Sequence, residues 1–338
     1  MRPDRRALLR GGLGAASALA AVPALAQRGA LRAPAALEVR AIPLDGFLAA
    51  EPGRTRFGAL SFRAGFELRA DHPAFGGFSG LWRSPDGTRL VAVTDNAAWL
   101  TAATTMRDGT LAGLADVRMS PILGPDGRPL QRTRSYDTEG LAISDGTAWV
   151  VVERSHEVFR FEWGRHGVLA RGQPVPVPAE VKRLPRNAGL EAVGIVPDGA
   201  PLAGALVAIA ERARPGDAPT RGFILTGPRR GAFDVVRSDG FDVTDLAFLP
   251  DGDLLLLERR YDMIRGAAVR LRRIAVGAVV PGAVVDGSIL FEADTRHRID
   301  NMEGLAVHQD RGTTVLTMIS DDNFSPLQRT LLLEFALG

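Results

Sequence analysis

One pattern of polar and apolar positions recurs along the chain: an acidic or polar residue, a short apolar run, a turn, a second apolar run, and a closing acidic residue. Its clearest copy opens with Asp137-Thr138-Glu139-Gly140 and continues through apolar residues 141–143. It turns at Asp145-Gly146 and runs through 149–152 into Glu153-Arg154. Short apolar runs of β-branched and aromatic residues read as strands, and Asp-Gly between two of them fits a tight hairpin. An earlier copy runs from Ser79-Gly80-Leu81-Trp82 through Pro85-Asp86-Gly87 and 90–93 to Asp95-Asn96. A third runs from Glu191 through Pro197-Asp198-Gly199 and 205–210 to Glu211-Arg212. A fourth runs from Asp245 through Pro250-Asp251-Gly252 and 254–257 to Glu258-Arg259. The fifth runs from Glu303 through Asp310-Arg311-Gly312 and 315–319 to Asp321-Asp322-Asn323. Proline presets φ at the first corner of such turns, and Asp and Gly tolerate the rest.

The copies begin roughly 52 to 60 residues apart, a period that belongs to propellers and solenoids. A strand pair cannot bury both of its faces alone, so the copies must pack on one another around an axis. Long 3.6-period segments are lacking, which excludes a helical solenoid. The pattern predicts an all-β fold, a β-propeller. Residues 37–42 and 62–68 near the start and 330–337 at the end also read as strands. Five copies plus this terminal material predict six blades, with N- and C-terminal strands completing one blade and closing the ring.

The N-terminus adds an address. Asp4-Arg5-Arg6-Ala7-Leu8-Leu9-Arg10 is a twin-arginine pattern, followed by an apolar run over 11–24 and the small residues Ala24-Leu25-Ala26. Residues 1–26 read as a signal peptide, 27–36 as a loose leader and 37–338 as a single propeller domain. The expected location is the periplasm, with no membrane span left after cleavage, because the apolar run is shorter than the roughly 20 residues a spanning helix needs. The formal charge of +2 falls to near −1 once the four arginines and one aspartate of residues 1–26 are removed. Nucleic acid is therefore not an expected partner. The chain has no cysteine, which excludes disulfides, thiolate metal sites and a cysteine nucleophile. A monomer is expected.

Candidate chemistry follows from the hairpin geometry. The first strand of each copy leaves one face of the ring and the second returns to it, so the opening and closing acids share that face. With the first strand innermost, Glu139, Glu191, Asp245 and Glu303 would ring the mouth of the central channel. Asp95, Glu153, Glu211, Glu258, Asp321 and Asp322 would sit one strand further out. Carboxylates gathered at one mouth repel unless neutralised. A hard cation, calcium above all, takes six to eight oxygens of this kind. The other resolution is ion pairing with Arg154, Arg212 and Arg259, whose planar guanidinium groups also suit an anionic ligand. Asn96, Asn187, Asn301 and Asn323 add neutral oxygens near the same face. The histidines (His72, His156, His166, His297 and His308) show no metal-binding spacing, although His72 and His156 could face the site and His308 belongs to the opposite face. Walker A, dinucleotide and G-x-S-x-G motifs are missing.

Several of these segments together resemble the phytase-like family, described by the esterase-like activity of phytase. They are residues 75–81 (Phe-Gly-Gly-Phe-Ser-Gly-Leu), Val93-Thr94-Asp95-Asn96, Asp137-Thr138-Glu139-Gly140-Leu141, Asn187-Ala188-Gly189-Leu190-Glu191-Ala192 and Asn301-Met302-Glu303-Gly304-Leu305. The resemblance spans roughly residues 57–337. It implies an exported bacterial propeller that hydrolyses phosphate esters. By analogy with calcium-dependent propeller phytases, calcium at the mouth would bind phosphate and hold the attacking water. With Lys182 as its only lysine, this chain departs from the lysine-rich phosphate site of those enzymes. The leading expectation is a calcium-dependent hydrolase of a small anionic ester. Metal would be held by Glu139, Glu191, Asp245, Glu303, Asp95 and Asp321. Glu153, Glu211 or Glu258 would serve as base, and Arg154, Arg212, Arg259, Asn96 and Asn323 would bind substrate. The alternatives are a calcium-dependent lactonase and a non-catalytic ligand- or protein-binding propeller.

Overall fold

Each of the five copies forms the two innermost strands of a radial sheet, and five such sheets close into a ring. The computed structural model describes residues 31–262 and 266–338; the expected signal peptide lies outside the described residues. The innermost strands of blades 1 to 5 are Phe78–Arg83, Thr138–Ser144, Leu190–Ile195, Asp242–Phe248 and Asn301–Asp310. Each packs against the next, and the fifth packs against the first. Their partners, Arg89–Thr94, Thr147–Val152, Leu206–Ala210, Leu254–Asp262 and Thr313–Asp321, pair antiparallel with them. The hairpin turns are made by residues that accept a left-handed backbone. Asp145 and Gly146 have φ of 46° and 70°, and Arg311 and Gly312 have 50° and 83°, the two successive positive values of a type I′ turn.

The ring has five blades, not six. Blade 5 takes its third strand, Leu331–Leu337, from the C-terminus and its fourth, Leu60–Arg69, from the N-terminus, with Phe335 opposite Phe62. Arg40–Pro43 then pairs with Leu60–Arg69 as the outer edge. A sixth blade would need an inner hairpin of its own, and the described residues before 78 contain none. Arg40–Pro43 and Leu60–Arg69 are outer strands of the fifth copy. Ala35 and Ala36, at the end of the expected loose leader, pair with Met119 and Arg118 at the edge of blade 1. Pairing of Leu331–Leu337 with Leu60–Arg69 thus closes the ring within one blade.

The closure is packed as well as hydrogen-bonded. Phe47 lies 5.0 Å from Phe57 and 5.1 Å from Phe335 by ring centroids, both edge-on, and Phe291 is 5.7 Å away. Fully burying one such ring contributes roughly 1.5–3 kcal/mol. Further down the inner strands Leu81, Leu141, Val193, Leu246 and Leu305 are buried. With the residues below them they line an apolar cavity of about 210 Å³ at the far end of the channel. No helix among the described residues is long and apolar enough to cross a membrane.

Candidate functional site

A β-bulge in every blade builds the mouth. The inner pair slips by one residue between Phe78 and Gly80, Leu190 and Ala192, Val243 and Asp245, and Met302 and Gly304; in blade 2 the shift falls opposite Val151. The extra residues are Ser79, Glu139, Glu191, Thr244 and Glu303. A bulge re-aims its side chain and interrupts pairing, and Ser79, Glu139, Glu191 and Glu303 all line one cavity of about 250 Å³. The second strands deliver the other set just past their last paired residue. The backbone N–H groups of Asp95, Glu153 and Glu211 bond to Gly77, Asp137 and Gly189 at 2.9 Å each. Arg259 and Asp321 take the same place in blades 4 and 5, opposite Asp242 and Asn301. All five line the cavity, joined by Asp137, Arg154, Asn187 and Asn323.

Blade 4 therefore breaks the ring with Thr244 and Arg259 where the other blades carry Ser79 or Glu and an acid. Neither Asp245 nor Glu258 is at the mouth. In a strand, a slip of one residue moves a side chain to the opposite face. Asp245 occupies the position of Gly80, Gly140 and Gly304, where the next blade's backbone is very close. A Cβ on Gly140 would lie 2.5 Å from the Glu191 oxygen and 2.9 Å from the Val193 nitrogen. Asp245 uses this approach to accept the N–H groups of Leu305 (2.7 Å) and Leu246 (2.8 Å), latching blade 4 to blade 5. Burial pushes its carboxyl well up, against the pull of these N–H donors. Glu258 is buried in a two-pronged pair with Arg272, at 2.7 and 2.6 Å.

Other candidates are also placed elsewhere. Arg212 stands outside the cavity, 3.5 Å from Asp242, with its side chain 46% exposed. Asn96 is buried outside the lining. Asp322 accepts from Gly77 N, Phe324 N and Thr330 Oγ1, which orders the loop after blade 5's second strand. His72 accepts from Ala74 N through Nδ1. His156 is buried behind Glu153, whose carbonyl takes its N–H, and burial lowers its pKa. His308 lies at the other end of the molecule; burial and then Arg83 push its imidazole down to about 4.

Charge in the cavity is far from balanced. Eight carboxylates (Asp95, Asp137, Glu139, Glu153, Glu191, Glu211, Glu303 and Asp321) face two guanidinium groups, Arg154 and Arg259. Arg154 Nε donates to Asp137 at 2.8 Å, and its head lies 5.1 Å from the Tyr136 ring. Arg259 Nη2 is 3.2 Å from Glu303 and 3.6 Å from Glu211, while its buried Nε has no acceptor among the described residues. These carboxylates hold its pKa up against the desolvation that would lower it. Burial, followed by neighbouring carboxylates, pushes Asp95, Glu139, Glu191 and Asp321 well above the usual range. Glu153 is raised to about 7 by burial first and then by Asp137. Asp137, Glu211 and Glu303 are also raised by burial, restrained by Arg154 in the first case and Arg259 in the others.

Two triads within this set could hold a cation: Asp137–Glu139–Glu153 and Glu153–Glu191–Glu211. Within each, one oxygen per residue lies within 4.8 Å of the others, and Glu153 belongs to both. The donors are all oxygen, which suits a hard cation such as calcium. Asp95 also lines the cavity, and its Oδ1, buried against Gly77, has no partner among the described residues. The residues present fit a metal because buried carboxylates must otherwise be neutralised by protons. Repeat-matching overlooked Asp137 and the break in blade 4, where Thr244 replaces an acid and Arg259, expected as a substrate-binding residue, takes the place of another. Aligning Asp242 with Asp137 exposes both, since it places Thr244 against Glu139 and Asp245 against Gly140.

The fold is similar to that of glutaminyl cyclase from Myxococcus xanthus, at 13% identity, 77% of this chain, 90% of that chain and a TM-score of 0.41. It is also similar to the PQQ-bound aldose sugar dehydrogenase from Streptomyces coelicolor, at 12% identity, 90% of this chain, 99% of that chain and a TM-score of 0.45. Likeness at this level says nothing of chemistry. A search of the curated proteins found no match. The sequence over residues 73–324, which covers the five inner hairpins and every residue lining the mouth, matches the phytase-like family, "Esterase-like activity of phytase", and the chain belongs to that family.

Proposed function

We propose that the protein hydrolyses a small anionic ester, a phosphate ester foremost, at the acidic mouth with a divalent cation bound, calcium by the nature of its donors. The observation that carries this reading is Glu153, shared by two carboxylate triads in a cavity that also holds the half-buried guanidinium of Arg259. Asp137, Glu139, Glu153, Glu191 and Glu211 would hold the cation. Bound there, it supplies Lewis acidity and makes water a better nucleophile. The protein's own groups do the rest. Arg259 offers its unpartnered Nε–H to a substrate oxygen and is held in place by Glu303 and Glu211. Arg154, partly exposed at the rim, attracts the anion into the mouth. Asp95, which lines the cavity, takes the proton released by water. Leu81, Leu141, Val193, Leu246 and Leu305 are buried below the mouth, so these charges act in a medium of low polarity. On the same reading the protein works in the periplasm, exported through its twin-arginine segment; N-terminal sequencing of the mature protein checks cleavage after Ala26.

The test is an ester panel, comprising 4-nitrophenyl phosphate, 4-nitrophenyl acetate and a γ-lactone, assayed with calcium and with chelator. Calcium-dependent turnover of the phosphate ester that drops in Arg259→Met supports the proposal. Turnover of the lactone alone would favour a lactonase. No turnover of any substrate would sink catalysis and leave a ligand-binding propeller, a reading that the ion pairs of Arg259 favour.

A further inference from the structure

Arg154, Arg212 and Arg260 hold the same place in blades 2, 3 and 4, yet of these three only Arg154 lines the mouth. Each follows the residue that meets the start of its own blade. Glu153 N–H donates to Asp137 O, Glu211 N–H to Gly189 O, and Arg259 lies opposite Asp242. What precedes those partners differs: Tyr136 before Asp137, Ala188 before Gly189, and Phe241 before Asp242. Where a ring is present the arginine stays over it. The Arg154 guanidinium is 5.1 Å from the Tyr136 centroid and that of Arg260 is 4.7 Å from Phe241. Blade 3 has neither ring nor acid, and Arg212 stands outside the mouth, 3.5 Å from Asp242 of the next blade. Blade 4 has the ring, but Asp242 is already taken by Arg237 and Arg212, and Arg260 donates to Asp239 O instead. Blade 2 alone combines a ring with an acid that turns to its own arginine.

The clamp is itself fixed. Ser135 Oγ and Ser155 Oγ, one just before Tyr136 and one just after Arg154, both donate to Glu157 Oε2, at 2.6 and 2.5 Å. The Tyr136 ring packs against the apolar core between blades 1 and 2. Arg154 Nε donates to Asp137 at 2.8 Å, and neither of its terminal nitrogens donates to a described residue. The side chain is 37% exposed, so those nitrogens remain open to a ligand at the mouth. A planar guanidinium offers its N–H groups as a fork matched to two oxygens of one phosphate or carboxylate.

We propose that Tyr136 is a positioning residue, whose ring face holds the Arg154 guanidinium at the mouth so that its terminal N–H fork binds two oxygens of the anionic substrate. The assignment rests on the ester-hydrolase reading and adds to it the side chain that orients the anion. The ring face acts here and the phenol hydroxyl does not.

The test uses the full chain loaded with calcium. Inorganic phosphate is titrated in by calorimetry, beside steady-state kinetics on 4-nitrophenyl phosphate. Tyr136→Leu keeps an apolar side chain against the core and removes the ring face, whereas Tyr136→Phe keeps the face. In Tyr136→Leu, phosphate affinity should fall about threefold, the worth of a cation over a ring at a half-exposed site. KM should rise by the same factor, with kcat and the calcium isotherm unchanged. Tyr136→Phe should restore both, Arg212→Met should bind phosphate as the wild type does, and Arg154→Lys, which lacks the planar fork, should bind it as weakly as Tyr136→Leu. Equal phosphate affinity in Tyr136→Leu and wild type, or a loss shared by Tyr136→Phe, overturns the assignment. So does an absence of phosphate binding in the wild type, or a loss of calcium binding in Tyr136→Leu, which would mark a structural role. Phosphate binding that depends on the ring without ester turnover would support the positioning while sinking the hydrolase reading. Turnover with KM unchanged in Tyr136→Leu would sink the positioning alone.

Discussion

Without a cation, the mouth should make the protein less stable as pH rises. Glu153 shows the size of the effect. Its carboxyl is raised from 4.5 to about 7, by burial first and then by Asp137. The folded state then binds a proton that the unfolded chain has released, and stability falls as pH increases. The contribution is fully present below pH 4.5 and lost as pH passes about 7. A shift of this size is worth about 3 kcal/mol at 1.36 kcal/mol per unit. At about 2.1 cal/mol/K per residue, that corresponds to about 5 °C in melting temperature for a chain of this length. Glu139, Glu191, Asp95 and Asp321 are shifted in the same direction and add to the slope. The assay is a series of thermal melts of chelator-treated protein from pH 4.5 to 8, repeated with saturating calcium and with Glu153→Gln. The chelated wild type should lose stability across this window, and calcium should restore it most at the alkaline end, where the carboxylates are ionised. Glu153→Gln should flatten the curve. A chelated protein whose melting temperature is level or rises from pH 4.5 to 8 would refute the reasoning.

Three other perturbations separate the mouth from its scaffold. Glu258→Gln breaks the buried pair with Arg272 and should cost about 3–5 kcal/mol, read by urea denaturation, without changing calcium affinity. Gly140→Ala forces a Cβ to within 2.5 Å of the Glu191 carbonyl oxygen; the strained contact should cost about 1–3 kcal/mol and, by displacing Glu191, weaken calcium binding. Arg259→Met leaves Glu303 and Glu211 unpaired and should raise KM for an anionic ester more than it changes the isotherm for calcium, a split visible in steady-state kinetics beside calorimetry.

Much of the architecture was legible because its signals are local. The turn at Asp145-Gly146 and the runs around it specify a hairpin without reference to the rest of the chain, and the repeat carries that hairpin around the ring. The blade count was less accessible. Residues 62–68 read correctly as strand, yet their pairing with Leu331–Leu337 is a contact between chain ends that no local pattern encodes. The site failed in one blade for a definite reason. Glu258-Arg259 looks like Glu153-Arg154 and Glu211-Arg212, but the residue that reaches the mouth is one further along, so an arginine stands where an acid was expected. Likewise Asp245 resembles Glu191 in sequence while occupying the place of Gly140. Bulges add a residue without changing the apolar pattern on either side, so matching by composition cannot register them.

Glu153 belongs to both carboxylate triads and is proposed to join them into a site for divalent cations. Calorimetric titration of calcium into chelator-treated mature protein at pH 7.5, wild type against Glu153→Gln, tests it most directly. Wild type should show saturable binding that is weakened at least tenfold by the substitution, while Glu258→Gln binds as the wild type does. An absence of binding, or an isotherm unchanged in Glu153→Gln, would contradict it.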